Sequence, residues 1–385
     1  MEILFSLILT LAITVGQLIK LPLSQNSGVT LLDATVLILT GFGLFKLKLK
    51  FKKPPFSLAG ALLFILVAIL SLVLSPLHLN ASQFFSSFLY TIRFSAYIFL
   101  GWEIYSGAFP LLKNKITQIL FSSGLTLTIL GLAQFIFLPD LRFLSQYGWD
   151  PHLYRTASTF LDPNFLGSYL VLTLIILYRN PAKNKKLNIL FYVLIFLALL
   201  TTFSRSAYGM FLISFLTLAA FKRSIKLALL TIFLFAVLLF SFQTQVKAVN
   251  KITPLDRNQT ASLRLSTWQQ GFDIFLKNPI LGIGYNAYNV ALRQYSLGDN
   301  QFLSGKGATT NDSSLLYVLA TTGILGIFAY LFFLLGIFKT KNTGLIAGVV
   351  GLLGHSFFAN SLFYPFILIW VILSLSASYV KPPAK

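Results

Sequence analysis

Residues 226–243, KLALLTIFLFAVLLFSFQ, decide the fold class, because they form an apolar run of lipid-spanning length. A helix that crosses the hydrocarbon core of a membrane needs roughly 17–25 mostly apolar residues. The residues that follow, 244–312, contain no apolar run of that length and carry charges of both signs. The boundary at residue 243 therefore separates an expected membrane span from a long polar segment outside the lipid.

Similar apolar segments occupy most of the remaining chain. Of its 385 residues, 56% are hydrophobic and 10% are charged, whereas soluble proteins carry about 25% charged residues. The composition predicts an all-α, polytopic integral membrane protein, with residues 1–385 as a single membrane domain. We expect about twelve transmembrane helices, at 3–20, 28–45, 56–75, 83–104, 116–138, 164–178, 187–203, 206–221, 226–243, 313–338, 343–360 and 362–379. The first segment lacks a basic start and is followed by further spans, so we expect a helix that is retained rather than a cleaved signal peptide.

The distribution of positive charge explains the net charge of +20 without nucleic acid. Of the 30 basic residues, 18 lie on alternate loops between the expected spans. This is the positive-inside pattern, which places such loops in the cytoplasm. The pattern predicts a multi-pass protein of the cytoplasmic (inner) membrane with both termini in the cytoplasm. Segments 139–163 and 244–312 are then external, and the cytoplasmic lysines would contact anionic lipid.

The long external segment is expected to fold into short helices. Residues 261–277 place Leu263, Trp268 and Phe272 roughly on one helical face, so this helix would lie in the membrane interface. Asn278 and Pro279 should end it. The following Gly-Ile-Gly of residues 282–284 resembles part of a dinucleotide-binding motif. We reject that interpretation because no βαβ unit precedes it, and we expect a tight turn near a ligand or another helix.

Two arginines stand out at the expected outer face. Arg155 precedes Asp162 and Pro163, which suit the N-cap and first turn of a helix, and helix N-termini attract phosphates. Arg205 lies between two spans, flanked only by serines, where a charge usually faces a cavity, faces a partner or extends to the interface. Arg93, inside the fourth expected span, poses the same question.

Two groups that can accept a proton are predicted at the same face. Asp312 stands at the start of the tenth expected span, where it would either cap the helix or face an external cavity. His355 lies near the outer end of the next span, where it would be either functional or packed against a carbonyl. Arginines bind phosphate through paired hydrogen bonds, and a carboxylate or imidazole accepts a proton from a hydroxyl. The combination indicates attack by an alcohol on a substrate with a phosphate leaving group. The three histidines are scattered, so we predict no metal site.

The order of these motifs resembles the O-antigen ligase/polymerase superfamily of bacterial membrane glycosyltransferases. The resemblance covers roughly residues 150–370. Its pieces are RTASTFLDPN at 155–164, SR at 204–205, RLSTW at 264–268, NP at 278–279, GIG at 282–284, LLYVLATTGILG at 315–326, HS at 355–356 and Pro365.

The resemblance implies both a substrate and a set of site residues. The donor would be a glycan on an undecaprenyl-pyrophosphate-type lipid carrier at the outer face of the inner membrane. The acceptor would be a hydroxyl of a glycan or glycolipid, and neither a nucleotide, another cofactor nor a metal would be needed. The resemblance assigns phosphate binding to Arg205 and Arg264, less directly to Arg155, and substrate binding to Asn164.

One position departs from the pattern implied by the resemblance. Where those ligases usually have a histidine at the head of the span after the long loop, this chain has Asp312 followed by Ser313. An ordinary aspartate, with a pKa of about 3.9, is a weak base, and desolvation would raise that value. The proton acceptor is therefore either Asp312 or His355. The departure favours a polymerase, or a ligase for another envelope glycan, over a lipid A-core ligase.

A different class of function also remains open. A transporter or a flippase for lipid-linked glycans would have a similar composition without any chemistry. Transporters favour repeat-related broken helices with charges near mid-bilayer. This chain has its site charges at the outer face and no evident repeat, which favours the glycosyltransferase.

Overall fold

The structure, a computed structural model, describes residues 1–24, 27–250, 257–299, 302–303 and 306–379. It is all-α apart from a short antiparallel hairpin, β1 (Lys20–Ser24) and β2 (Ser27–Thr30). The helices are α1 (Glu2–Val15), α2 (Leu31–Leu47), α3 (Phe56–Val73), α4 (Ala81–Ser106), α5 (Pro110–Phe137), α6 (Pro163–Arg179), α7 (Lys185–Thr201), α8 (Arg205–Lys222), α9 (Ile225–Asn250), α10 (Arg257–Lys277), α11 (Tyr288–Gln294), α12 (Ser314–Phe338), α13 (Thr343–His355) and α14 (Pro365–Ser378).

Five of these helices, α3, α4, α5, α9 and α12, are long and apolar enough to cross a membrane. The chain is therefore a multi-pass membrane protein, whereas twelve spans remain a prediction. Helices α1, α6, α13 and α14 are apolar but shorter, with 13–17 residues. At 1.5 Å per residue, a 14-residue helix reaches only about 21 Å of a hydrocarbon core about 30 Å thick.

The predicted segments 3–20 and 343–360 extend beyond the helices, because a turn ends each helix early. Helix α1 stops at Gly16, which has φ 61°, and the chain then enters the hairpin. Helix α13 ends at His355, and the chain turns there before a short 3₁₀ helix at Ser361–Phe363. Apolar composition alone did not reveal these turns, because their residues are themselves largely apolar.

Close contact between helices α3 and α12 forms one centre of the core. A Cβ atom at Gly60 would collide with the backbone of Phe333, and one at Gly336 would collide with the backbone of Ser57. Helices in membranes associate through such small residues, because lipid gives no hydrophobic drive for helices to pair. Helix α13 packs on α8 in the other half of the bundle, and α4 packs on α2, α3 and α14.

A break in α12 receives the segment that follows α10. Gly323 adopts φ 63° and ψ −163° inside the helix. The amides of Ile283 and Gly284 donate to the carbonyls of Ala320 and Thr321, while that of Ile324 donates to Pro279. Irregular backbone within a membrane protein is tolerated where other protein groups satisfy it. The expected turn at residues 282–284 is confirmed, and what it approaches is another helix.

The expected external segment begins later than predicted, and α10 within it packs through a face that was not predicted. Helix α9 continues to Asn250, so the first residues of segment 244–312 are still helical. Helix α10 ends at Lys277, as Asn278 and Pro279 predicted. Its buried face holds Thr267, Gly271 and Ile274, whereas the expected face is outward: Phe272 is exposed and Trp268 half-buried. That exposed apolar face suits the predicted interfacial position. Lys251 and Asp256 lie outside the described residues.

Candidate functional site

The turn between α7 and α8 presents Arg205 at a helix N-terminus. Ser204 caps α8 by accepting a hydrogen bond from the amide of Ala207. Phe203 has φ 46°, an unusual conformation for a bulky residue, and it reverses the chain abruptly. Arg205 is exposed, and its guanidinium lies 5.4 Å from the ring centroid of Phe242 in α9. Positive charge at a helix N-terminus strengthens the existing attraction for an anion.

Asn164 fixes that turn from the first turn of α6. Asp162 is the N-cap of α6 and accepts from the amides of Asn164 and Phe165, and Pro163 follows it, which confirms the predicted cap. The side-chain oxygen of Asn164 accepts a hydrogen bond of 2.7 Å from the Ser204 hydroxyl. Asn164 is thus next to Arg205 in space, 41 residues earlier in the chain.

Arg155 binds the end of α7 rather than an open cavity. Its Nε donates to the carbonyl of Thr202 at 2.9 Å, and its Nη2 donates to that of Phe203 at 3.4 Å. Carbonyls at a helix C-terminus lack partners within the helix, and basic side chains satisfy them. This geometry supports the position of the α7–α8 turn. Arg155 does not line either of the two cavities described below.

A cavity of about 430 Å³ brings Arg205 and Arg264 together. We call it the arginine cavity. Its lining is Arg205, Ser206, Gly209, Ile213, Arg264, Leu265, Trp268, Gly354 and Phe358. The guanidinium of Arg264 lies 5.9 Å from the ring centroid of Phe358, and Trp268 and Phe358 are 5.9 Å apart. Two cations in an otherwise mostly apolar cavity suit a ligand with a phosphate headgroup and an apolar chain.

Asp312 lies beside this cavity and does not cap α12. The cap is Ser313, whose hydroxyl accepts from the amide of Leu316. Asp312 instead accepts a hydrogen bond of 3.2 Å from Thr267, three residues after Arg264 in α10. Burial raises the pKa of the Asp312 carboxyl above its ordinary value, while the charge of Arg264 opposes this rise. Of the two alternatives left open for Asp312, the helix cap is therefore excluded.

His355 ends α13 next to Gly354 of the arginine cavity. It is fully buried. Its imidazole lies close to the backbone of Asn164 and near enough to Arg264 to interact with its charge. Asp312 and His355 thus both lie near Arg264, on different elements. The amide of Ser314 donates to the carbonyl of Ser356, which ties the start of α12 to the end of α13.

A second cavity was not foreseen from the sequence. We call it the tyrosine cavity; its volume is about 180 Å³. Its lining is Tyr90, Arg93, Phe94, Phe165, Tyr285, Asn286, Thr310, Tyr317, Asn360, Phe363, Tyr364, Pro365 and Leu368. Of its residues, the sequence marked Arg93 as a charge inside an expected span, and Tyr317 and Pro365 only as parts of the family resemblance. The structure pairs Arg93 with Asp33 of α2 at 2.7 Å. Among the described residues, no three His, Asp or Glu side chains cluster as a metal site.

Comparison with known proteins supports the resemblance seen in the motifs. Residues 190–331 match a family model described as O-antigen ligase. The matched range contains Arg205, Arg264, Asp312 and the Gly323 break, whereas Asn164 and His355 lie outside it. No curated protein matches the chain.

Proposed function

We propose that the protein is a membrane glycosyltransferase of the O-antigen ligase/polymerase type. It transfers a glycan from an undecaprenyl-pyrophosphate-type carrier to an acceptor hydroxyl at the outer face of the cytoplasmic membrane. The observation that carries this proposal is the arginine cavity, in which Arg205 and Arg264 come together from distant parts of the chain. The match of residues 190–331 to the O-antigen ligase family model supports the same conclusion.

The arginine cavity fits the carrier in both charge and polarity. A planar guanidinium forms paired hydrogen bonds with phosphate oxygens. Two such groups would balance the pyrophosphate charge without a metal. Leu265, Ile213 and the aromatic rings would contact the first part of the apolar chain. Asn164 and Arg155 act as positioning residues, because they hold the turn that carries Arg205.

The proposed reaction is a substitution at the anomeric carbon of the donor sugar. An acceptor hydroxyl oxygen forms a bond to this carbon while the bond from the carbon to the phosphate oxygen breaks. The carrier pyrophosphate leaves with the electron pair of that bond, and the two arginines stabilise its added charge. The hydroxyl proton passes to the Asp312 carboxylate, with His355 as the alternative acceptor. A buried carboxyl with a raised pKa is a better base than an exposed one.

The test is transfer by the purified protein in lipid nanodiscs. Lipid-linked glycan extracted from cells that make the protein serves as donor, and the same glycan serves as acceptor. We expect longer glycan chains and free carrier pyrophosphate, with the same yield when EDTA is present. Absence of transfer from this donor, with a folded protein, would contradict the function. Transfer that EDTA abolishes would contradict only the metal-independent route.

A further inference from the structure

The tyrosine cavity has the lining of a sugar site rather than a lipid site. Tyr285 and Tyr317 have ring centroids 6.1 Å apart, and Tyr317 and Phe363 are 5.4 Å apart. Phe165 and Tyr364 stack at 4.0 Å on another side. The cavity volume, about 180 Å³, corresponds to roughly six times the volume share of a liquid water. Such a space suits one sugar ring and is too small for a polyprenyl chain.

Polar groups are distributed among these rings. The side-chain oxygen of Asn286 accepts a 3.0 Å hydrogen bond from Tyr317, which leaves the Asn286 amide nitrogen as a donor. The side-chain oxygen of Asn360 is buried and has no partner among the described residues. Arg93 is paired with Asp33, yet 23% of its side chain stays exposed. Because Asp33 balances its charge, Arg93 is suited to donate hydrogen bonds to uncharged hydroxyls rather than to bind an anion. Sugar rings offer both hydroxyls and an apolar face that packs on aromatic rings.

Three short segments have one residue in the lining of the tyrosine cavity and another in, or bonded to an element of, the arginine cavity. Asn164 holds the Arg205 turn, and its neighbour Phe165 lines the tyrosine cavity. In a second segment, Thr310 lines the tyrosine cavity, and Asp312 two residues later bonds to α10.

The third segment contains His355. Gly354 and Phe358 line the arginine cavity, and Asn360 lines the tyrosine cavity. Both candidate proton acceptors therefore belong to segments that join the two cavities. A transfer enzyme needs this arrangement, because its base must reach the hydroxyl that attacks the donor.

We propose that the tyrosine cavity binds one sugar ring of the acceptor and directs its hydroxyl toward Asp312 and His355. The identification of this sugar as the acceptor rests on the proposed function. The hydroxyl bound there supplies the oxygen of the new glycosidic bond, its proton goes to the base, and the carrier pyrophosphate leaves on the arginine side. Arg93, Asn286 and Asn360 would then determine which sugar is accepted.

Sugar binding can be measured without any transfer. We would record saturation-transfer-difference NMR spectra of the purified protein in nanodiscs. The probes are the methyl glycosides of glucose, galactose, mannose, N-acetylglucosamine and N-acetylgalactosamine at millimolar concentration. The variants are Asn360→Ala, which removes the side-chain oxygen without a partner, and Thr310→Phe, which fills the cavity. The matched control is Asn180→Ala, at the far end of α6.

We expect at least one glycoside to receive saturation from the wild type and from Asn180→Ala. Both cavity variants should lose most of that signal while keeping the wild-type unfolding temperature. Arg205→Ala should keep the signal, because it alters the other cavity. If no glycoside receives saturation, or if both folded cavity variants retain it, the inference is overturned. Because transfer is not read here, failure of the proposed function would leave this outcome unchanged.

Transfer kinetics give an independent reading where activity is present. Asn360→Ala should raise the KM for the acceptor by about ten- to a hundredfold, the size expected for one or two lost hydrogen bonds. The KM for the lipid-linked donor should stay the same. An equal rise in both KM values would contradict a specific acceptor site, and a rise in the donor KM alone would assign the cavity to the donor sugar instead.

Discussion

At the scale of single residues, we propose that Arg205 and Arg264, which line one cavity, bind the pyrophosphate. Replacing either with alanine should lower transfer about ten- to a hundredfold, because a charge-assisted hydrogen bond contributes about 1.5–3 kcal/mol. Replacement by lysine should restore little transfer, since lysine keeps the charge but lacks the planar guanidinium that forms paired hydrogen bonds. Arg223→Ala, at the other end of α8, is the matched control. Full transfer by a normally expressed Arg205→Ala or Arg264→Ala variant would remove that residue from the site.

Because Ser313 caps α12, a role of Asp312 in transfer can be tested separately from the stability of the helix. Asp312→Asn should leave stability near normal and lower transfer about 10²–10⁴-fold, the usual contribution of a general base. Ser313→Ala should instead cost about 0.5–2 kcal/mol of stability, with a smaller effect on the rate per folded molecule. Both are measured by unfolding temperature and by transfer. An active Asp312→Asn together with a folded but inactive His355→Ala would identify His355 as the base.

The pH dependence of transfer should report the surroundings of Asp312. A base works only when it is deprotonated, so the rate should fall as pH drops through the pKa of Asp312. Burial raises this pKa, so the fall should occur above the ordinary aspartate value of about 3.9. The charge of Arg264 lowers the pKa, and Arg264→Lys, which keeps the charge, should hold the midpoint near that of the wild type. Arg264→Gln should move the midpoint to higher pH, and an unchanged midpoint would argue against Asp312.

Residue-level prediction reached further through the family resemblance than through the residue pattern alone. The resemblance paired Arg205 with Arg264, and these two line one cavity, whereas Arg155 lines neither cavity. Asp312 was expected either to cap α12 or to face a cavity, and in the structure it accepts a hydrogen bond from Thr267 of α10 while Ser313 caps the helix. The tyrosine cavity was not predicted, because its rings come from five separate segments that each look like ordinary apolar sequence.

At the scale of elements, we expect the break in α12 to be sensitive to substitution. Gly323→Ala would place a Cβ atom against the Ile280 carbonyl and strain a residue with φ 63°. A strained backbone position of this kind costs about 1–3 kcal/mol. We expect a clear drop in unfolding temperature and in yield. Gly41→Ala is the control, because nothing lies near the added atom and alanine favours helix. Equal stability of the two variants would contradict the break.

Helix locations were predictable, whereas their ends and faces were less so. Apolar length placed a helix within each of the twelve predicted segments. Apolar length could not show that α1 and α13 end early. A glycine turn ends α1, and a reversal of the chain ends α13. The packing face of α10 was also not predicted, since its buried residues Thr267 and Gly271 are small and form no hydrophobic pattern.

At the scale of the whole molecule, the topology predicts which segments are accessible from outside. The chain has no cysteine, so single cysteines can be introduced at Lys50 and Ser296. We expect an impermeant thiol reagent to label position 296 in intact cells and position 50 only after the membrane is opened. We expect this orientation because lysine and arginine are concentrated on alternate loops, which such a bias places in the cytoplasm. Labelling of position 50 from outside, or none at 296, would contradict this orientation.

A glycosyltransferase breaks the bond between glycan and carrier, which neither a transporter nor a flippase would do. The most direct measurement follows doubly labelled donor, with one isotope in the glycan and another in the carrier, in sealed proteoliposomes. We predict that each glycan joined to an acceptor is matched by one free carrier pyrophosphate, and that Arg205→Ala with Arg264→Ala abolishes both products. Movement of both labels across the bilayer in one intact molecule, with no free pyrophosphate, would contradict the account.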